Sequence, residues 1–185
     1  MRHMRAVELF FALGWAAFWV YWLVSAFTAK RSKLDWSSEL RIRVVIVVCV
    51  IVLLRLGAFR AGDLTTDPLR AACGMVVFLL GLGFAIWARV HIGRNWGGPM
   101  SRKADPELVT GGPYRLVRHP IYGGILVAGI GTAIALNWAW LIVVALVGMY
   151  FVYSATVEER YLSRMFPDSY AAYRRSTKMF VPLIV

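Results

Sequence analysis

With 185 residues, of which 59% are hydrophobic and only 17% charged, the chain is too apolar for an ordinary soluble domain. Its formal net charge of +11 is compatible with nucleic-acid binding, but the basic residues fall mainly between apolar runs and in the C-terminal tail. Positive-inside topology explains that distribution, so the composition argues against a nucleic-acid partner and for one membrane domain, 1–185. Cys49 and Cys73 lack the spacing and neighbouring histidines of a zinc site, so no metal is expected.

The apolar runs predict five transmembrane helices, each with about the twenty residues needed to cross a bilayer, although the fourth is short. In chain order they cover 8–28, 42–59, 71–91, 121–136 and 138–156, and the last two form a tight hairpin hinged at Asn137. Backbone polar groups in lipid must pair within their own segment, so we expect an all-α, polytopic helical bundle. Six glycines should allow close helix contacts: Gly81, Gly83, Gly123, Gly124, Gly129 and Gly131.

The distribution of lysine and arginine predicts the orientation. The first connector, the insert at 93–122 with its flanks and the tail at 157–185 carry most of these residues, whereas the opposite side carries few. We therefore expect the N-terminus outside and both the insert and the tail in the cytoplasm. A prokaryotic inner membrane is the expected location.

The polar insert at 93–122 is much longer than a connector between two spans needs to be. It contains four prolines, five Lys/Arg, three aromatic residues and one of the three histidines. Pro120 suits the first turn of the fourth span and keeps His119 out of the α-helical region. A lone histidine at a membrane boundary is often structural, but the tyrosines and arginines around His119 make a ligand-binding role an equal alternative.

An acidic pair, Glu158 and Glu159, lies where the fifth span leaves the membrane. Neither acid has a basic residue three or four positions away on the helix, so their partners must be distant in sequence. Arg115 and Arg118 are the candidates, since the insert and the tail share a face; a solvated pair is the alternative. Beyond the pair we expect a helical extension to about residue 166, a break at Pro167 and a short amphipathic helix around 169–175.

The end of the insert and the acidic pair together resemble the motifs of a known family. The segment GGPYRLVRHPIYGG, followed after one hairpin by EERYL, resembles the isoprenylcysteine carboxyl methyltransferase family and the wider group containing phospholipid N-methyltransferases. The similarity covers about 93–182. It implies a membrane-embedded enzyme whose catalytic core is 71–185, preceded by two spans at 1–70. It also implies S-adenosylmethionine as cofactor, wrapped by the insert and the tail. The cofactor-binding residues implied in this way are Pro106, Glu107, Leu108, Val109, Tyr114, His119, Pro120, Ile121, Tyr122 and Glu158.

Elementary chemistry adds roles to these positions. Arg115 or Arg118 would pair with the cofactor's carboxylate, and Glu158 with its amino group or ribose. An ionised carboxylate acceptor needs no general base, whereas an amine acceptor needs one, for which Glu159 or His119 is nominated. The catalytic candidates are therefore Arg118, His119 and Glu159.

The resemblance leaves the methyl acceptor open. Eukaryotic family members have an arginine shortly before the acidic pair and many relatives have one near the C-terminus, where this chain has Ser154 and Met179. Carboxyl O-methylation of an isoprenylcysteine-like or other lipophilic acceptor is the first hypothesis, so the expected partners are a lipophilic or prenylated substrate and membrane lipid. The alternatives are a phospholipid or small-lipid N-methyltransferase, a reductase that binds a nicotinamide cofactor in the same place, and a non-enzymatic membrane protein, such as a haem carrier using His91 and His119.

Overall fold

The computed structural model describes residues 2–26, 32–33, 67–96, 102–103 and 107–180, together with the single helical residues 44, 48 and 55. Five α-helices lie in these ranges: α1 (Arg2–Ala26), α2 (Pro68–Ile92), α3 (Pro120–Ala135), α4 (Trp140–Met165) and α5 (Pro167–Ser176). Short 3₁₀ turns cover Gly93–Asn95 and Gly112–Arg115. Strands β1 (Ser32–Lys33) and β2 (Arg102–Lys103) form a two-residue antiparallel ladder.

The all-α membrane bundle is confirmed. Three helical segments of the described chain, Arg5–Ser25, Pro68–Asn95 and Trp140–Met165, are long and apolar enough to cross a membrane, and α3 is a shorter apolar helix. They correspond to the first, third, fifth and fourth predicted spans. The second predicted span, 42–59, lies outside the described residues except for three of them.

Local sequence signals explain where the helices begin and end. Asp67 caps α2 by accepting a 3.0 Å hydrogen bond from the amide of Leu69, and Pro68 occupies the first turn. Asn137 holds the predicted hairpin between α3 and α4, because its side-chain oxygen accepts a 2.7 Å hydrogen bond from the amide of Ala139. The predicted break at Pro167 is also confirmed, since α4 ends at Met165 and α5 starts with this proline.

The helices α2 and α3 pack backbone to backbone through glycines. A methyl group on Gly81 would lie 2.7 Å from the carbonyl oxygen of Gly124, and one on Gly131 would lie 2.7 Å from the carbonyl oxygen of Gly74. This close contact supplies van der Waals energy in a medium where burial of apolar surface does not drive association. The prediction is confirmed for Gly81, Gly124 and Gly131. At Gly83 no described residue lies within 4 Å of an added methyl group, and the prediction there stays a prediction because most of the second predicted span lies outside the described residues.

The first helix is joined to this pair by aromatic and polar contacts. Phe11 and Phe78 are buried with their ring centroids 4.8 Å apart, and the Trp15 indole donates a 3.1 Å hydrogen bond to the Thr132 hydroxyl. At the opposite end of α2, the buried guanidinium of Arg89 donates to the carbonyl oxygen of Ser25 at 2.5 Å. These contacts place the start of the insert beside the end of α1.

Candidate functional site

The tail returns to the insert and pairs with it through backbone hydrogen bonds. The amide of Arg118 donates to the carbonyl oxygen of Lys178 at 2.8 Å, and the amide of His119 donates to that of Met179 at 3.0 Å. The residue after this pairing is Pro120, the first residue of α3, and His119 has a non-helical backbone with φ −124° and ψ 63°. As expected from the proline, the backbone fixes His119 at the mouth of the bundle.

A glycine turn buries Tyr114 beside α2. Gly112 has φ +56°, a region that favours glycine, and a methyl group there would lie 2.6 Å from the imidazole of His91. The following 3₁₀ turn buries Tyr114, whose ring stacks on His91 with centroids 6.4 Å apart. Burial raises the pKa of the Tyr114 hydroxyl, with a further contribution from the Glu158 carboxylate, so the phenol stays neutral.

A buried ionic cluster joins the insert, α4 and α5. The carboxylate of Glu159, only 5% exposed as a residue, accepts a 2.7 Å hydrogen bond from Arg118 Nε and lies 3.3 Å from His119 Nε2. Arg174 Nε of α5 lies 3.6 Å from the other carboxylate oxygen. Arg118 Nη1 also donates to the carbonyl oxygen of Thr177. Of the two predicted basic partners, Arg118 is therefore the one that pairs with the acidic pair in the described part of the chain.

An aromatic stack continues from His119 into the bundle. The rings of His119 and Tyr122 are nearly parallel with centroids 5.5 Å apart, and Tyr122 stacks on Phe151 at 4.4 Å. The Tyr122 hydroxyl lies 3.2 Å from the hydroxyl of Ser154, which is fully buried. The position where the resemblance expects an arginine in eukaryotic relatives thus holds a small residue bonded within the protein.

A pocket with a volume of about 50 Å³ opens in front of these groups, where the end of α2, the insert, α4 and α5 meet. Seven of its lining residues are among the predicted site residues: Glu107, Leu108, Val109, Tyr114, Arg118, His119 and Glu158. The Glu158 carboxylate is 30% exposed and its Oε2 lies 4.0 Å from His119 Nδ1. Two stretches far apart in the sequence therefore share one chamber.

The other predicted site residues lie around this pocket. Pro120 and Ile121 are buried in the first turn of α3, Tyr122 is in the aromatic stack and Glu159 is in the ionic cluster. Arg115 is exposed and is not among the lining residues. Pro106 lies outside the described residues.

Four lining residues were missed from the sequence: Ile92, Leu162, Tyr170 and Tyr173. The two tyrosines lie three positions apart on α5, a spacing that was visible but is equally typical of a helix on the membrane surface. The Tyr173 hydroxyl donates a 2.6 Å hydrogen bond to the carbonyl oxygen of Tyr114, which places α5 over the insert. Burial raises the pKa of Tyr173 and of Tyr170, so both phenols remain protonated.

The chemistry of the lining groups fits a cofactor with an amino-acid part and a nucleoside part. Glu158 offers a partly exposed carboxylate to an ammonium or a sugar hydroxyl, and Tyr114 offers an aromatic surface. The buried Oη of Tyr170 has no hydrogen-bond partner in the described chain, so it is a donor that is not used within these residues. The volume of about 50 Å³ is the space between the described residues that line the pocket.

Comparison with known proteins gives consistent similarities. The phospholipid methyltransferase family (PEMT) matches residues 69–169. Protein-S-isoprenylcysteine O-methyltransferase of Schizosaccharomyces pombe is 40% identical over 101 residues, 52% of this chain and 43% of that protein. Protein-S-isoprenylcysteine O-methyltransferase B of Arabidopsis thaliana is 30% identical over 115 residues, 60% of this chain and 58% of that protein.

A relative with a different name matches a longer stretch. Cobalt-zinc-cadmium resistance protein CzcN of Cupriavidus metallidurans is 29% identical over 140 residues, 75% of this chain and 61% of that protein. The chain spans about half the length of the curated relatives it matches. All the described pocket residues from Ile92 to Leu162 lie inside the family match at 69–169.

Proposed function

Because the chain belongs to the phospholipid methyltransferase family, we propose that it is a membrane methyltransferase that uses S-adenosylmethionine and acts on a lipophilic acceptor. The observation that carries this proposal is the pocket shared by His119 of the insert and Glu158 of α4, at the cytoplasmic end of the bundle in the predicted orientation. Relatives named protein-S-isoprenylcysteine O-methyltransferase support it.

The cofactor supplies a methyl group that its sulfonium centre has already activated. The protein therefore needs mainly to orient the reactants and exclude water. Glu158 binds the ammonium group or the ribose hydroxyls, since it lines the pocket and its carboxylate is 30% exposed, with His119 Nδ1 4.0 Å away. The buried ring of Tyr114 provides an apolar wall that can also face a positive charge.

Arg118 and Glu159 act as positioning residues. Their side chains are 9% and 7% exposed, and each is already paired with the other and with further groups of the protein. Glu159 holds His119 through Nε2, which leaves Nδ1 directed toward Glu158 and the pocket. Of the three residues predicted to be catalytic, His119 is therefore the one we assign to direct contact with bound molecules.

We propose carboxyl O-methylation as the reaction, with an isoprenylcysteine-like acceptor. A carboxylate is ionised at neutral pH, so no proton has to be removed before the methyl group is transferred. This agrees with a site in which Glu159 is fully committed to an ionic cluster. The lipophilic part of the acceptor enters from the bilayer between the helices, while the cofactor enters from the cytoplasm.

N-methylation of a phospholipid is the second candidate, and the description of the matched family favours it. An amine acceptor must lose a proton, and His119 with Glu158 4.0 Å from its Nδ1 is the pair that accepts it. Purified protein incubated with membrane lipids and a cofactor labelled in its methyl group separates the two reactions. Alkali releases labelled methanol from a methyl ester, whereas an N-methyl group survives the same treatment.

Calorimetric titration with S-adenosylhomocysteine tests the site before any acceptor is known. We expect the wild-type protein to bind it and Glu158→Gln to bind it about tenfold more weakly, as for loss of a charge-assisted hydrogen bond. Arg160→Gln is the matched control, because Arg160 is exposed and lies outside the pocket lining. Absence of binding by the wild-type protein would remove the proposal.

A further inference from the structure

The hydroxyl of Tyr170 is buried without a partner. The residue is only 1% exposed, and its Oη has no hydrogen-bond partner in the part of the chain that the structure describes. Burying a hydroxyl unpaired is unfavourable, and buried polar groups in folded proteins are nearly always paired. The neighbouring Tyr173 shows the usual situation, because its hydroxyl donates to the carbonyl oxygen of Tyr114 at 2.6 Å.

Tyr170 belongs to the wall of the pocket that also contains His119 and Glu158. The helix that carries it is fixed on both sides: Arg174 lies 3.6 Å from Glu159, and the loop after the helix pairs with the insert. The ring of Tyr170 also packs edge-on against Tyr173, with centroids 6.1 Å apart. The side chain is therefore held in place without using its polar atom.

Only the neutral form of this phenol is present at physiological pH. Burial raises the pKa of Tyr170, and the negative charge of Glu159 raises it further. A neutral phenol at this position has a proton to donate, and no atom of the described chain accepts it.

We propose that Tyr170 is a cofactor-binding residue, whose Oη donates a hydrogen bond to an oxygen of the bound S-adenosyl cofactor. This inference rests on the proposed function and adds α5 to the site. The acceptor oxygen belongs either to the carboxylate of the amino-acid part or to the ribose. Both oxygens belong to the same ligand, and binding measurements with ligand analogues distinguish between them.

Two measurements on Tyr170→Phe test the inference. Calorimetric titration should show binding of S-adenosylhomocysteine weakened about 3- to 10-fold, as for one lost hydrogen bond. Thermal unfolding without ligand should show an unchanged or higher midpoint, because the substitution removes a hydroxyl that has no partner. Tyr173→Phe is the contrasting variant and should lower the midpoint, since its hydroxyl bonds to Tyr114.

The outcomes separate this inference from the proposed function. Wild-type binding together with equal binding by Tyr170→Phe would overturn the inference and leave the function standing. A lower midpoint of Tyr170→Phe without ligand would also overturn it, since the hydroxyl would then have a partner inside the protein. Absence of wild-type binding would overturn both. The analogue 5′-methylthioadenosine lacks the amino-acid part of the cofactor. If Tyr170→Phe also binds this analogue more weakly than the wild type does, the acceptor oxygen belongs to the ribose. If the two proteins bind it equally, the acceptor oxygen belongs to the carboxylate.

Discussion

Replacing Glu159 with glutamine should destabilise the protein much more than the same replacement at the adjacent Glu158. Glutamine keeps the size of the side chain and one acceptor oxygen, but it removes the negative charge opposite a buried guanidinium. The Glu159 carboxylate is 7% exposed, Arg118 is 9% exposed, and their atoms are 2.7 Å apart. The Glu158 carboxylate is 30% exposed, and among the described residues its nearest basic atom, on His119, is 4.0 Å away.

The contacts set the expected magnitudes. Removing one partner of a buried ion pair costs about 3–5 kcal/mol. Arg118 keeps its hydrogen bonds to the carbonyl oxygens of Arg174 and Thr177, so we expect the lower end, about 3 kcal/mol, for Glu159→Gln. Arg174 is 63% exposed and adds little. For Glu158→Gln we expect at most about 1 kcal/mol, as for a partly solvated pair.

Thermal unfolding of the detergent-solubilised variants measures this difference. For a chain of this size, about 3 kcal/mol lowers the midpoint by roughly 6–12 °C, and 1 kcal/mol lowers it by roughly 2–4 °C. Both variants must be compared without ligand, because bound cofactor would add its own stabilisation. Equal midpoints for the two variants would show that the ionic cluster does not hold the insert to α5, and the positioning role of Glu159 would be wrong.

Two further predictions concern packing and pH. Gly81→Ala should lower stability by about 1–3 kcal/mol, because the added methyl group overlaps the backbone of α3. Gly83→Ala should be neutral or slightly stabilising, because its methyl group meets open space in the described chain. Thermal unfolding of both variants measures the difference. Burial raises the pKa of Tyr114, Tyr170 and Tyr173, so above about pH 10 the unfolded chain releases protons that the folded state keeps, and stability should fall as pH rises. Midpoints measured from pH 8 to 11.5 should decline less steeply for Tyr170→Phe than for the wild type, and identical slopes would contradict the assigned burial.

Most of the architecture follows from local patterns. The apolar runs predict the spans because only a helix pairs its own backbone groups in lipid. Pro120 and Pro167 mark the starts of α3 and α5, since proline fits a first helical turn and disrupts later ones. The absence of a basic residue three or four positions from either acid correctly predicts that Glu159 finds its partner, Arg118, far away in sequence.

The sequence by itself determined the helical membrane fold and the meeting of the insert with the tail. Helix periodicity did not determine which of the two adjacent acids faces the pocket, and only the family resemblance pointed to Glu158. Neighbouring residues on an α-helix point about 100° apart, and the rotation of α4 about its axis is set by the helices packed against it. The same holds for Tyr170, because spacing places it on one face of α5, but only the docking of that helix over the insert turns the face into a wall of the pocket.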